Sequence, residues 1–342
     1  MAVLFMDPFD EYNTTTDFLL RWSSVTNAGA TTVGSSGNGR MGTNSLRMAS
    51  GNSATKILPS TYACLITHVG YRPLSLLDGA IIVAYQDGST LQCELRVLAN
   101  GKLRVTRNNT TLATSNNVYF QNNVYHHVQF KATINNTGSF YCKVDNDTVT
   151  WDIGSGNDSI DTQNTANANA DRFTLGGFAS ITADWDDLYI TDGSGANTTG
   201  MMGDVRLQAL FASGAGSHTD WTPNGAGSNF QCVDESPPNS DTDYISSSTT
   251  NQIDTYAFGD LSPTAGSVLA VEVLSFARKD DAGTRTIAPV IRTGSTDAVG
   301  TSVNLSTSYA FYSQIFETNP ANGSAAWTVS DVNSSEFGAK LL

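Results

Sequence analysis

The chain has 342 residues and 39% hydrophobic content, enough for folded material and more than one small core usually organises, so two domains are expected. Its 18 basic and 32 acidic residues give a net charge of −14, which argues against nucleic acid and anionic membranes as partners, since phosphate binding needs a lysine- and arginine-rich surface. No apolar run is long enough to span a bilayer.

The opening MAVLFMDPFDEY has no basic start and is cut by Asp7, so it reads as a first β-strand and not as a leader. From there the dominant signal is period two. Residues 80–86, 91–98, 102–106, 124–134 and 139–145 alternate apolar and polar side chains, and DGS, NG, NN and NNTG turns separate them. In ANGKL, between residues 99 and 103, Asn100 and Gly101 suit the positive φ of a hairpin turn. Residues 73–80 and 202–211 fit a short helical turn, and the second fits a strand equally well. Long helical periodicity is nearly absent, and the fold class expected is all-β.

The polar stretch 154–171 reads as a surface loop, and a second break follows at 192–203. Strand patterns then resume in SVLAVEVLSFARKD, TIAPVIRTG and YAFYSQIFETNP. The boundaries drawn are 1–196 for the first domain, 197–203 for a glycine- and threonine-rich linker, and 204–342 for a smaller second β-sandwich. Cys64, Cys93 and Cys142 lie in strand-like runs, and with Cys232 they form no metal pattern, so buried free thiols are expected.

Few motifs carry chemistry. DWDDLYITDGSG, residues 184–195, holds Asp184 and places Asp186 and Asp187 at what reads as the entry to a strand, where a carboxylate can accept turn N–H groups. With Asp145 these three are candidate ligands for calcium, a hard cation that takes several oxygens. No other cofactor is expected: there is no P-loop, the glycine-rich GSSGNGRMG at residues 34–42 precedes no helix as a dinucleotide fingerprint requires, and the nucleophile elbow GxSxG is also missing. His126 and His127 are adjacent on a strand and point to opposite faces, which suggests one packed and one solvated ring. Glu94 reads as a lone solvent-facing acid. Trp151, Trp221 and Tyr119 are candidates to stack on a sugar, whereas Trp22 and Trp185 look like packing residues.

His127, Val128, Phe130, Val144 and Asp145 form a hairpin pattern, and Gly176, Gly177, Asp186, Asp187, Leu188, Tyr189 and Ile190 form a closing strand. Together these resemble the concanavalin A-like/laminin-G-like jelly-roll family over residues 1–195. The resemblance implies a sandwich whose rim binds calcium in some members. Glycoside hydrolases of that fold carry an E-x-D-x-x-E strand, which is absent here, so a non-enzymatic protein is expected and a polysaccharide depolymerase is the lesser alternative.

The closing segment, with Asn319, Pro320, Trp327, Thr328, Val332, Asn333, Glu336, Phe337 and Gly338, resembles a C-terminal module of phage virion structural proteins. That resemblance implies a virion surface protein made in the host cytoplasm: a tail-fibre or tail-tip component, or a capsid decoration or fibre. Other virion proteins and further copies of the chain, most simply a trimer, are then the expected partners. Host-surface polysaccharide is a further one, and glycan binding as the primary role is the alternative reading.

Overall fold

Alternation in the first part of the chain resolves into two stacked sheets. The structure is a computed structural model and describes residues 3–26, 31–33, 37–49, 51–153, 158–177, 181–195, 200–262 and 266–342. The chain divides into two compact units, Met1–Leu207 and Gln208–Leu342, so residues 200–207 belong with the first.

In the first unit β1 (Val3–Asp7) leads to a short helix α1 (Thr15–Leu19), then β2 (Ser24–Val25), β3 (Thr31–Thr32), β4 (Leu46–Met48), β5 (Ser53–Tyr62) and β6 (Cys64–Pro73). Next come β7 (Ala80–Asp87), β8 (Thr90–Val97), β9 (Leu103–Arg107), β10 (Thr110–Thr114), β11 (His126–Thr133) and β12 (Gly138–Val144). The unit closes with β13 (Asp147–Thr148), β14 (Asp158–Ile160), β15 (Ala170–Gly176) and β16 (Ala183–Thr191). One sheet has the order β13-β12-β11-β6-β16-β4-β3, with β1 on β16 and β14 on β12. The other has the order β10-β9-β8-β7-β15-β5-β2. This is an antiparallel jelly-roll β-sandwich.

Aromatic side chains from the inward faces join the sheets. Phe5 of β1 meets Phe173 of β15 at 5.8 Å, and Trp22 packs edge-on to both. Tyr85 of β7 stacks on Phe130 of β11 at 5.6 Å, and its hydroxyl donates to the Phe130 carbonyl at 2.8 Å. The Trp185 indole crosses from β16 to donate to the Ile82 carbonyl at 3.0 Å. Each large side chain removed from water here contributes roughly 2–3 kcal/mol, and the polar tips keep their partners. The helix α1 is too short to stand alone. A capping box between Thr14 and Asp17 closes its first turn, and the buried Phe18 stacks on Trp22 at 4.8 Å.

The second unit contains β17 (Ala212–Thr219), β18 (Thr222–Asn224), β19 (Tyr244–Ser246), β20 (Ile253–Phe258), β21 (Val271–Ala277) and β22 (Thr286–Thr293). It continues with β23 (Thr296–Val299), β24 (Val303–Asn304), β25 (Ala310–Phe316), β26 (Thr318–Asn319), β27 (Ala325–Ala326), helix α2 (Val329–Ser334) and β28 (Ser335–Leu341). The main sheet runs β17-β20-β28-β22-β23, with β24 on β22, and β21 pairs with β25 in a separate ribbon. Val273 of the ribbon shares a core with Ile291, Trp327, Val332 and Phe337, so ribbon and sheet form a second, smaller sandwich. Trp327 and Phe337 are anchors of that core, and between them lies the one-turn helix α2, opened by a Thr328–Asp331 capping box.

Several local expectations are corrected. Residues 202–211 form neither strand nor helix, the Gly203 and Leu207 N–H groups bonding instead to Gln129 and Asp187 of the first sandwich, and residues 74–79 form a turn without a helix. Only Gly101 of the ANGKL turn takes positive φ, at +77°, while the Asn100 side chain accepts from Lys102 N–H at 3.0 Å. Glu94 does not face solvent: it is fully buried and paired with Arg96. All four cysteines are free, and burial pushes the Cys93 and Cys142 thiols far up, which leaves them unreactive. Among the described residues no helix is long and apolar enough to cross a membrane.

Candidate functional site

The acidic stretch around Asp186 lies inside β16 and not at its entry. The register of β16 against β6 shifts between Asp186 and Tyr189, and Asp187 takes φ +49°, so the two aspartates sit on a bulge. All nine residues of the strand are buried. Trp185, Leu188 and Ile190 belong to the core, while Asp184, Asp186 and Tyr189 lie on the opposite face and meet a second layer of chain.

Arginines and backbone donors hold that layer. Asp184 receives Arg47 through Nε at 2.7 Å and Nη2 at 3.0 Å, and Arg72 through Nε at 2.8 Å and Nη2 at 2.5 Å. Asn38 Oδ1 joins both guanidinium groups at 3.1 Å. Arg40 lies over Gly70, where any Cβ would collide with its Cδ, and reaches Asp187 at 3.0 Å and Asp204 at 2.9 Å. Its own N–H donates to Asp186 at 2.7 Å. Residues 200–207 lie against the same face: Gly203 N–H donates to Gln129 Oε1 at 3.0 Å and Leu207 N–H to Asp187 at 2.9 Å. Burial, reinforced by Asp187, pushes the Asp186 carboxyl up to about 8. Burial also raises Asp187, against the pull of the Leu207 N–H and Arg40.

This geometry corrects the calcium expectation for Asp184, Asp186, Asp187 and Asp145. Among the described residues no set of three or more His, Cys, Asp or Glu side chains is placed to hold a metal ion. The first three turn their carboxylates to arginine and backbone N–H groups. Asp145 lies at the end of β12, where its Oδ2 meets His126 Nδ1 at 2.6 Å and its Oδ1 accepts His127 N–H at 2.8 Å.

The histidines also differ from expectation, since neither ring is solvated. His126 packs edge-on to Phe120, and His127 is fully buried beside His68. His68 in turn stacks on Tyr189 at 4.2 Å. Among the described residues the ring nitrogens of His68 and His127 meet no hydrogen-bond partner. Burial drives both imidazoles down, His127 to about 4, so both are neutral at pH 7. A depressed histidine gives stability that is present above its unfolded value of about 6.5 and is lost as the pH falls toward about 4. His127→Phe keeps a buried ring without that proton site. Between pH 6.5 and 4, wild type is expected to lose about 3 kcal/mol more than this variant in urea unfolding. Parallel pH curves would contradict the buried neutral ring.

The open surface of the first unit offers a different arrangement. A cleft of about 450 Å³ is lined by Asn117, Val118, Tyr119, Val144, Asp145, Asp147 and Thr148. One wall comes from the segment before Phe120. There Tyr119 and Phe120 N–H groups both donate to the Gly101 carbonyl at 3.0 Å, and a Cβ on Gly101 would collide with the Phe120 carbonyl. The other wall is the β12–β13 hairpin, whose turn residues Asp145 and Asn146 both take positive φ, at +51° and +72°. The walls are pinned by Asn116 N–H on the Thr150 carbonyl at 2.8 Å, a Ser115–Trp151 bridge, and Thr150 N–H on the Tyr119 hydroxyl at 3.3 Å. The cleft therefore combines an aromatic ring, an exposed valine, two exposed carboxylates, an amide and a hydroxyl.

The three proposed sugar-stacking residues fall in three different settings. Trp151 is buried, edge-on to Phe140 at 5.4 Å, so it positions the cleft without lining it. Trp221 is partly buried against the Ile287, Leu305 and Leu341 cluster of the second unit. Tyr119 does line the cleft, together with Asp145. Asn117, Asp147 and Thr148 were missed, although the DNDT turn marks two of them.

No known family pattern and no curated protein matches the chain. Among solved structures, it is similar to the cellulose-induced protein Cip1, with 12% identity, 55% of this chain and 97% of that one covered, and a TM-score of 0.41. It is similar to the carbohydrate recognition domain of Emp47p at 11% identity, over 44% of this chain and 83% of that one, with a TM-score of 0.31. A sialidase of Trypanosoma rangeli matches at 16% identity and a TM-score of 0.33, over 44% of this chain but only 25% of its own length.

Proposed function

We propose that this is a non-catalytic surface protein that holds a saccharide in the Tyr119 cleft. The observation that carries the reading is the meeting of the Tyr119 ring with Asn117, Asp145, Asp147 and Thr148 in one open depression. An aromatic face covers the C–H side of a pyranose, and amide, hydroxyl and carboxylate groups orient its hydroxyls. Paired-carboxylate hydrolysis requires one acid kept protonated by its surroundings. The carboxyl raised to about 8, Asp186, is buried beneath Arg40, and it is not among the cleft residues. The setting proposed is the outside of a virus particle, as an oligomeric fibre, tail or capsid component, which rests on the resemblance of the segment from Asn319 to Gly338.

Titration of bacterial surface polysaccharides against the full chain tests the binding. Saturable binding is expected, with no release of shortened product over hours. Tyr119→Ala is expected to weaken it at least tenfold, about 1.4 kcal/mol; it gives up the Thr150 bond, and the Ser115–Trp151 bridge and the Trp151–Phe140 packing still hold the walls. Product release, or binding indifferent to Tyr119, would overturn the reading.

A further inference from the structure

We propose that Thr165 and Gln92 are joined by an intramolecular ester, formed with release of ammonia. Gln92 of β8 is fully buried, and its side chain points into the loop that follows β14. Its Nε2 donates to Thr165 Oγ1 at 2.9 Å and to the carbonyls of Asn167 at 2.9 Å and Asn169 at 3.0 Å. Its Oε1 accepts two backbone N–H groups, from Asn164 at 2.5 Å and Thr165 at 3.1 Å. Thr165 Oγ1 donates to Asp87 Oδ2 at 2.7 Å, while Asn167 N–H donates to the same Oγ1 at 3.1 Å and Asn167 Nδ2 to Asp87 Oδ2 at 3.0 Å.

These contacts supply each part of an acyl transfer. Thr165 is a hydroxyl nucleophile with a carboxylate base on its proton. The Gln92 amide carbon is the electrophile, on a fully buried side chain whose nitrogen already lies 2.9 Å from that hydroxyl. Two N–H groups already sit on the oxygen that becomes the oxyanion. In the step, Thr165 Oγ1 bonds to Gln92 Cδ and its proton passes to Asp87. The Cδ–Nε2 bond then breaks, Asp87 returns the proton to Nε2, and ammonia leaves. Atoms and electrons balance without a cofactor or oxidant. The product ties β8 to the loop, across the polar stretch that looked like a plain insertion in the sequence.

Intact mass measurement of the purified full chain tests this. Wild type is expected to be lighter than its sequence by one ammonia, and tandem fragmentation to find the Gln92 and Thr165 peptides linked. Thr165→Val is expected to restore the full mass, Thr165→Ser to keep the loss, and Asp87→Asn to slow its appearance after synthesis. A wild-type mass equal to the sequence overturns the proposal. So does a loss that persists in Thr165→Val, which would place the lost ammonia elsewhere, for instance at an Asn–Gly succinimide.

Discussion

Asp184→Ala is expected to lower the stability of the first unit by about 3 kcal/mol. The carboxylate is fully buried and is the shared partner of Arg47 and Arg72, which stack its charge between two guanidinium groups. Removing it leaves two cations facing one another beneath a loop, with Asn38 as their remaining shared acceptor. Both arginines retain some access to water, which sets the figure at the low end for a broken buried pair. Urea unfolding of wild type and variant measures the difference. An effect under about 0.5 kcal/mol would mean the arginines are solvated and the layer over β16 is loose. Asp184→Asn separates charge from shape: it keeps an acceptor but no charge, and it should recover only part of the loss.

Gly338→Ala is expected to have a comparable or larger effect, confined to the second unit. β28 lies in the middle of the main sheet, between β20 and β22. A Cβ at Gly338 would land on the Asp254 carbonyl and lie 2.8 Å from Thr255 Cα. Backbone cannot rotate aside as a side chain can, so β20 and β28 must separate, at a cost of about 3 kcal/mol. Amide hydrogen exchange in β20, β22 and β28 is expected to accelerate, while that in β6, β11 and β16 stays unchanged. Unchanged exchange at Ile253–Phe258 would show that the two strands do not approach as closely as described.

Much of this fold was legible because strands bury one face and the alternation shows it. β7, β8, β9, β11, β12, β21, β22 and β25 fall where the patterns placed them. Gly338 was noticed as part of a motif, and the structure gives its physical reason in the close approach of β20. What the alternation hides is a second layer over the outward face. Asp184 and Asp186 occupy positions that read as ligands, and His127 and Gln129 are buried beside them on β11. They are buried because Arg40, Asn38 and residues 200–207, all irregular in structure and remote in sequence, lie over them. Glu94, on β8 of the other sheet, is buried with Arg96 paired to it.

The cleft was half legible. Tyr119 and Asp145 were singled out separately, one as a sugar-stacking ring and the other as a calcium ligand. Their meeting depends on the Ser115–Trp151 bridge and on Trp151 packing against Phe140. No local pattern announces a contact between hairpins that far apart in the chain. The tryptophans misled because a large ring near a loop serves packing as readily as recognition, and here Trp151 packs.

The most direct test of the saccharide reading is a crystal structure of the full chain with the polysaccharide fragment that binds it best. The prediction is a sugar ring lying on Tyr119, with hydroxyls within hydrogen-bond reach of Asp145 and of Asn117, Asp147 or Thr148. A fragment bound elsewhere with the cleft empty would contradict the assignment of this site.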